Sequence, residues 1–477
     1  MHLPNIQSFF DHLTRLQIIL ILTLFGLSAY ANAVNHPFVH DDVLFIQQNP
    51  QITKLDLGNF FIQPSVDDGE FTGIHQYYRP LLDLVNKVLY RIVHLNPHGF
   101  HFFNILLHII NSFLVYNVIR VITDNKKGVS LIVAMFFLLH PVQSEAVACI
   151  AGISNLVFAF LCLVSFYVYT LSIGANGRRN LLVYAASLLL FFLALLAKEQ
   201  SVVLPVLIAA YELCFVTFPQ KVLKRFKYVA GFFVVLAGYF FLRKFIFGLS
   251  LTHGLAEKHE LWLTLLAIPR SLLIYFGIIL FPHNLHYYRS QDILLPSMGP
   301  ILLLLAIIIA LGFLISRTGN PHKKWMIFGL GWFIISMLPT LNIFPLVNEY
   351  SLILTAEHFL YFPIIGIFLF VSGCSCYWFK RMTDQEKFLR YFLICSMISI
   401  LYLGMTVKQN TYWRGEIPLF EQTLKFENNF GRVHFLLAQA YANAGRFEDA
   451  AVEDRKALVI MQGYAQKVRN LKFKNSI

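Results

Sequence analysis

The sequence predicts an all-α fold, a polytopic helical bundle in a membrane, and three observations carry that prediction. Of 477 residues, 57% are apolar and 16% aromatic, while only 13% are charged. Soluble domains carry about a quarter charged residues, so a water-soluble fold of this length would lack the polar groups to cover itself. The apolar residues also come in runs of about twenty, the length a helix needs to cross a hydrocarbon core of about 30 Å. Finally, the basic residues gather in the short connections between those runs. Together these features exclude a cytosolic enzyme, a disordered chain and a secreted disulfide scaffold.

The runs fall near 17–33, 102–123, 129–149, 153–173, 181–197, 200–217, 229–246, 261–281, 299–316, 326–344, 358–379 and 391–408. The first has only Arg15 as a basic flank and no small-residue cleavage site, so it reads as an uncleaved helix and not as a signal peptide. Five connections are basic. They hold Lys126 and Lys127; Arg178 and Arg179; Lys221, Lys224, Arg225 and Lys227; Arg317, Lys323 and Lys324; and Lys380, Arg381, Lys387 and Arg390. The positive-inside rule places all five on the cytoplasmic side. Three apolar segments separate Lys227 from Arg317, and three crossings cannot return to the same side. One is therefore expected to be re-entrant or interfacial, and 261–281 is chosen because Pro269-Arg270 interrupts it. About eleven crossings follow, with the C-terminus outside. The excess of 38 basic over 26 acidic residues is then a loop signal. It calls for membrane lipid and no nucleic acid.

Residues 1–410 form the membrane domain in this reading, with a first outer loop over about 34–100, and 411–477 form a helical appendage. The six cysteines, Cys149, Cys162, Cys214, Cys374, Cys376 and Cys395, lie in or beside apolar runs without metal-ligand spacing. They read as small buried hydrophobes, with Cys374 and Cys376 as a redox pair the alternative.

The topology collects scarce polar residues on the outer side. The first loop holds Asp41, Asp42, Asp67, Asp68, Glu70 and Arg79; His140 and Glu145 follow at the third segment, then Lys198 and Glu199, then Glu349, Glu357 and His358. Ionisable groups at a membrane are costly and mark functional candidates. In Asp41-Asp42, adjacent carboxylates repel, which raises one pKa and suits a general base; alternatively, Asp42 N-caps a short helix at 43–48. Arg79 and Lys198 suit a phosphate at the bilayer surface; alternatively, Arg79 snorkels and Lys198 pairs with its neighbour Glu199. His101, Asn104 and His108 share one helical face, fit for interhelical hydrogen bonds or, with the two histidines, a metal. The stretch Phe281-Pro282-His283-Asn284-Leu285-His286-Tyr287-Tyr288-Arg289 suits sugar stacking, or an interfacial aromatic belt.

Past residue 410 charge rises and long apolar runs stop. Leu437, Ala438 and Tyr441, a turn at Gly445, then Ala450, Ala457 and Leu458 have the offsets of one tetratricopeptide unit, although Asp454 and Gln462 depart from the usual aromatic and proline. One and a half repeats cannot bury a core alone, so this segment is expected to dock on the membrane domain or a protein partner.

Taken in order, several stretches resemble the transmembrane and tetratricopeptide-repeat O-mannosyltransferases, within the GT-C class that includes protein O-mannosyltransferases. They are His40-Asp41-Asp42 with Asn49; Tyr78-Arg79-Pro80-Leu81; His101-Phe102-Phe103-Asn104-Ile105-Leu106-Leu107-His108; Leu139-His140-Pro141-Val142-Gln143-Ser144-Glu145-Ala146-Val147; Ala197-Lys198-Glu199-Gln200; Phe281-Pro282; Leu338-Pro339-Thr340-Leu341-Asn342; and Ala356-Glu357-His358-Phe359-Leu360-Tyr361-Phe362-Pro363. The resemblance implies a GT-C-like, inverting glycosyltransferase that takes a sugar from a polyprenyl-phosphate carrier to an acceptor hydroxyl of protein, glycan or lipid. It implies Asp41 as base with Asp42 beside it, Glu145 as a second acid, and Arg79 and Lys198 on the departing phosphate, with His140, Glu357 and His358 also in the substrate site. No cofactor is demanded; the acidic groups would admit a divalent metal. Where the family commonly has Glu-Arg, this chain has Glu357-His358, and a histidine is only partly charged near neutrality. The repeat region is shorter than the arrays of the animal proteins, which implies a microbial relative. The expected location is a bacterial inner membrane with a periplasmic site, the endoplasmic reticulum being the alternative. Competing readings are an O-antigen-ligase-like transferase and a non-enzymatic transporter or scaffold.

Overall fold

The structure, a computed structural model, describes residues 10, 12–53, 78–173, 180–215, 219–246, 258–287, 289, 298–341, 355–380 and 385–474. Asp67, Asp68, Glu70, Arg178, Arg179, Glu349 and Arg381 lie outside them. Among the described residues the chain is helical and has no β-strand.

Helix α1 (Arg15–Tyr30) starts on a capping box: Thr14 Oγ1 accepts from the Gln17 N–H at 3.3 Å, and Gln17 Oε1 accepts from the Thr14 N–H at 2.8 Å. Two donors at the helix start are thereby satisfied. Helix α2 (Pro80–Val93) begins on proline, which suits a first turn. It carries Asp83, Lys87 and Arg91, yet exposes Val88 and Ile92, the amphipathic pattern of an interfacial helix. Helix α3 (Pro97–Ile122) is capped by Asn96. Helix α4 (Lys127–Leu139) stops at His140, because Pro141 drives the residue before it out of the helical region. The chain bends there by 50° into the short α5 (Ser144–Ala148). Then come α6 (Ile153–Leu171), α7 (Leu181–Ala197), α8 (Leu204–Phe215), α9 (Pro219–Phe241), α10 (Lys258–Leu280), α11 (Met298–Arg317), α12 (His322–Met337), α13 (Ile364–Lys380) and α14 (Gln385–Asn410).

The expected eleven crossings are not met. Among the described residues, seven helices are long and apolar enough to cross a membrane, eight if the bent pair at His140-Pro141 counts as one span. The shortfall has a physical cause: apolar runs that look continuous are cut by turns. Pro141 breaks 129–149, Pro363 ends the turn before α13, and the apolar parts at 181–197, 265–280 and 364–378 are shorter helices. Pro269-Arg270 does not interrupt the segment read as re-entrant or interfacial, and that segment is not among the seven. Helix α10 continues through Pro269.

Without water to drive apolar surfaces together, membrane helices associate through close packing of small residues. Helices α12 and α13 meet this way: a Cβ on Gly366 would lie 2.3 Å from Gly329 O, and one on Gly329 2.5 Å from Gly366 O. Trp332 Nε1 donates across the same contact to Phe362 O at 3.1 Å. One end of the bundle gathers basic connections: Lys127 Nζ donates to Leu13 O at 3.0 Å, and Tyr377 Oη to Arg317 O at 2.7 Å. The candidate acids lie where α1, α4, α7, α10 and α14 finish and α3, α6 and α13 begin.

After Asn410, a turn at Thr411–Arg414 leads to α15 (Glu416–Leu424) and to the hairpin of α16 (Gly431–Asn443) and α17 (Phe447–Lys474). Gly445 has φ +75° in the hairpin turn, the left-handed position that glycine fills at helix ends. Trp413, Leu419, Phe420, Phe430 and Leu437 share one apolar cluster with Ala33, Val39, Ala148 and Tyr287. The segment is thus fastened to the bundle at the end that holds the acids.

Candidate functional site

The chain leaving α1 is tied to the head of α3, where His98 Nδ1 bonds Val34 O at 2.8 Å and His101 Nε2 bonds His36 O at 3.1 Å. His40 then adopts φ +51°, a conformation uncommon outside glycine and typical of functional turns. Asp41 and Asp42 end up in different environments. Asp42 is 1% exposed. Its Oδ2 accepts from the Val39 N–H at 3.1 Å, and its Oδ1 from the Ala151 N–H at 2.6 Å and from Cys149 Sγ at 3.3 Å. Burial pushes the carboxyl up to about 7, against those three hydrogen bonds and with a further push from Asp41. The capping alternative fails: the side chain makes no bond to the turn at Val43–Gln47, because its oxygens are taken by the preceding residues and by Ala151. The Asp41 side chain is 37% exposed, with His40 Nε2 at 3.4 Å from Oδ1. Tyr287 Oη donates to its Oδ2 at 2.8 Å.

A second carboxylate group adjoins the first. Glu145, on α5, accepts from the His358 N–H at 2.9 Å and pairs with His358 Nδ1 at 2.7 Å. Glu357 accepts from the His286 N–H at 2.7 Å and from Arg289 Nη2 at 2.8 Å. Burial, opposed by Arg289 and reinforced by the charge of Glu145, holds the Glu357 carboxyl above its usual range. His286 and Tyr287 are consecutive, so one short segment after α10 touches both groups. His286 also lies 3.4 Å from Glu427 and stacks on Phe426, both beyond α15.

Arg79 and Lys198 assemble separately. Arg79 Nε and Nη2 donate to Glu199 at 3.0 and 2.5 Å, a two-point geometry suited to guanidinium and carboxylate. Burial would raise the Glu199 carboxyl, but Arg79, aided by Lys198, holds it below the usual range. Lys198 Nζ donates to Asn155 Oδ1 at 2.7 Å. Asn155 stands one helical turn beyond Ala151, so this group borders that of Asp42.

His140 stands apart. It is fully buried at the bend, with Nε2 bonded to Ile279 O at 3.0 Å and Nδ1 accepting from the Val142 N–H at 3.2 Å. His108 bonds Leu138 O at 3.1 Å and Tyr361 Oη at 2.8 Å, and so follows the interhelical hydrogen-bond alternative, whereas His101 bonds the loop carbonyl of His36. Among the described residues, no three His, Cys, Asp or Glu side chains form a group able to hold a metal. Sequence reasoning missed Glu427, and read Tyr287 and Arg289 as part of a sugar-stacking or interfacial stretch without their partners. The polar-aromatic stretch 281–289 was the available signal, but the partners of Arg289 and Tyr287 lie 68 and 246 residues away.

These features define a class: a polytopic helical membrane protein with paired acids and cations clustered at one end of the bundle. Comparison with characterised proteins narrows it. The chain is 24% identical over 474 residues to protein O-mannosyl-transferase TMTC3 of Mus musculus, covering 89% of this chain and 49% of that protein. It is 24% identical over 513 residues to protein O-mannosyl-transferase TMTC1 of Homo sapiens, covering 93% and 55%, and 23% identical over 468 residues to protein O-mannosyl-transferase F38B6.6 of Caenorhabditis elegans, covering 94% and 63%. The chain therefore resembles the TMTC O-mannosyl-transferases along most of its length. It spans about half the length of the curated relatives it matches. No family model matches the chain, and no solved structure matches it. Because these relatives are animal proteins, the bacterial inner membrane finds no support, and the endoplasmic reticulum fits better.

Proposed function

We propose that this chain is a GT-C-type glycosyltransferase that moves a sugar, mannose by analogy with the names of its relatives, from a polyprenyl-phosphate carrier to an acceptor hydroxyl at the extracytoplasmic or lumenal face. The observation that carries the reading is Asp41. It is a partly exposed carboxylate aligned by a tyrosine hydroxyl, among neighbouring groups of acids and cations in a chain that resembles O-mannosyl-transferases over most of its length. Asp41 accepts the proton of a Ser or Thr hydroxyl as that oxygen attacks the anomeric carbon. The bond from that carbon to the carrier phosphate breaks, its electron pair leaves on the phosphate oxygen, and configuration inverts. Arg79 and Lys198 face the departing charge, with Arg289 supplying the cation that His358 does not. Preorganised charge of this kind and positioning are large terms in such a transfer. The helical hairpin serves as a tetratricopeptide-like unit beside the site and a surface for the acceptor.

The test is transfer by purified protein from a panel of polyprenyl-phosphate sugars to a Ser/Thr peptide. Wild type should transfer mannose, and Asp41→Asn should lose at least about a hundredfold, the scale of a positioned general base. Full transfer by Asp41→Asn would remove the base assigned here.

A further inference from the structure

We infer that Asn104 is a positioning residue for Asp42: from the first third of α3 it sets the turn that holds this carboxyl, and so sets how readily Asp42 takes up a proton. The inference rests on geometry that the proposed transfer does not use. Asn104 is fully buried, and its Nδ2 lies 3.5 Å from Val147 O, 3.2 Å from Cys149 O and 3.3 Å from Ile150 O. Three carbonyls can be met only by the amide NH2, so the orientation of the side chain is dictated by its surroundings. Its Oδ1 is buried without a partner. The amide is therefore kept for its donor, at the cost of an unmet acceptor.

The carbonyls it gathers belong to the end of α5 and to the turn between α5 and α6. With Ile150 O drawn towards α3, the N–H of the same trans peptide, that of Ala151, points the opposite way, to Asp42 Oδ1, and the Cys149 thiol meets the same oxygen. The turn has no slack on its other side: a Cβ on Gly152 would lie 2.3 Å from Ala146 O. Val39 N–H holds the second oxygen from Asp42's own segment. The titratable groups facing Asp42 are Asp41 from that segment and Cys149 from the turn. Burial raises the Asp42 carboxyl and the Ala151 N–H lowers it, so loosening the turn removes the stronger brake and shifts the carboxyl further up.

An infrared pH titration of the protonated-carboxyl band tests this on the full chain in detergent, with Asp42→Asn identifying the band. Asn104→Leu keeps the volume and deletes the donor; Asn104→Gln restores an NH2. The expected result is a midpoint about one pH unit higher in Asn104→Leu, a roughly tenfold change in proton affinity, with partial return in Asn104→Gln. A merely structural role would lower the melting temperature and leave the midpoint in place. If Asn104→Leu does not fold, Ala151→Pro asks the same question by deleting the N–H outright. A wild-type midpoint in whichever of these variants folds overturns the inference. Because the band reports on Asp42 alone, this outcome is independent of whether the protein transfers a sugar.

Discussion

Tyr287 Oη stands 2.8 Å from Asp41 Oδ2, a contact that joins residues 246 positions apart. The hydroxyl is the donor, since a carboxylate oxygen can only accept. One oxygen of Asp41 is thereby fixed, and the edge of the carboxylate that bears the other oxygen is aimed. Tyr287→Phe should keep the ring packing on Trp413 and lose this bond. A hydrogen bond to a charged group contributes about 1.5–3 kcal/mol, so kcat for transfer should fall by about ten- to a hundredfold with KM little changed. A rise in KM at unaltered kcat would instead place Tyr287 in substrate binding.

The Arg79–Glu199 pair gives a stability prediction whose sign depends on pH. The Glu199 carboxyl is held below its ordinary 4.5, so the folded state binds fewer protons there than the unfolded chain. The pair's contribution is complete above 4.5 and is lost as pH falls through the lowered value. In Arg79→Met the burial of Glu199 persists without the guanidinium, and removing one partner of a buried pair costs about 3–5 kcal/mol. The carboxyl then rises, and the variant loses stability as pH increases. Melting curves should show a small deficit near about pH 4 that widens towards about pH 7. A deficit that narrows over that range contradicts the assignment.

The sequence made the class of fold legible because the chemistry of lipid is blunt: few charges, long apolar runs and basic connections have one solution. It also located the acids, since Asp41, Asp42, Glu145 and Glu357 do come together at one end. Helix number was less legible. Apolarity does not distinguish a full span from a run cut at Pro141 or Pro363, and Pro269 breaks nothing. Long-range pairing was the least legible. Asp42 looked like a local cap, whereas it bonds Ala151; Lys198 does act on its neighbour Glu199 through charge, but it also bonds Asn155, and Glu199 takes Arg79 from 120 residues upstream. Such contacts are set by which helix ends meet, and local spacing carries no record of that.

Close approach of α12 and α13 predicts a sharp contrast between glycines. Gly366→Ala places a methyl 2.3 Å from Gly329 O, where backbone on both sides prevents relief. Overpacking of this kind costs about 1–3 kcal/mol and should lower Tm. It should also lower transfer, because α13 follows directly on the turn that carries Glu357 and His358. Gly312→Ala is the control. Nothing lies within 4 Å of the added atom, and alanine is the better helix former by about 1 kcal/mol, so its Tm should hold or rise. Equal effects at the two sites would show that the crossing does not depend on glycine.

The segment after α14 is best tested through Trp413. It is 3% exposed, and its ring meets that of Tyr287 edge-on at 5.4 Å between centroids. Phe420 meets His40 in the same manner at 5.5 Å. The tail therefore packs against both residues that flank Asp41, and its contribution to activity should exceed its contribution to folding of the bundle. Trp413→Ala should cost about 3–5 kcal/mol of local packing and release Tyr287. Transfer should then fall as far as in Tyr287→Phe or further, and the double variant should add little, because both changes remove one interaction. Limited proteolysis should cut the variant after Asn410 more quickly than wild type. Losses that simply multiply in the double variant would mean that Trp413 and Tyr287 act independently, and the tail would then be an attachment and not a wall of the site.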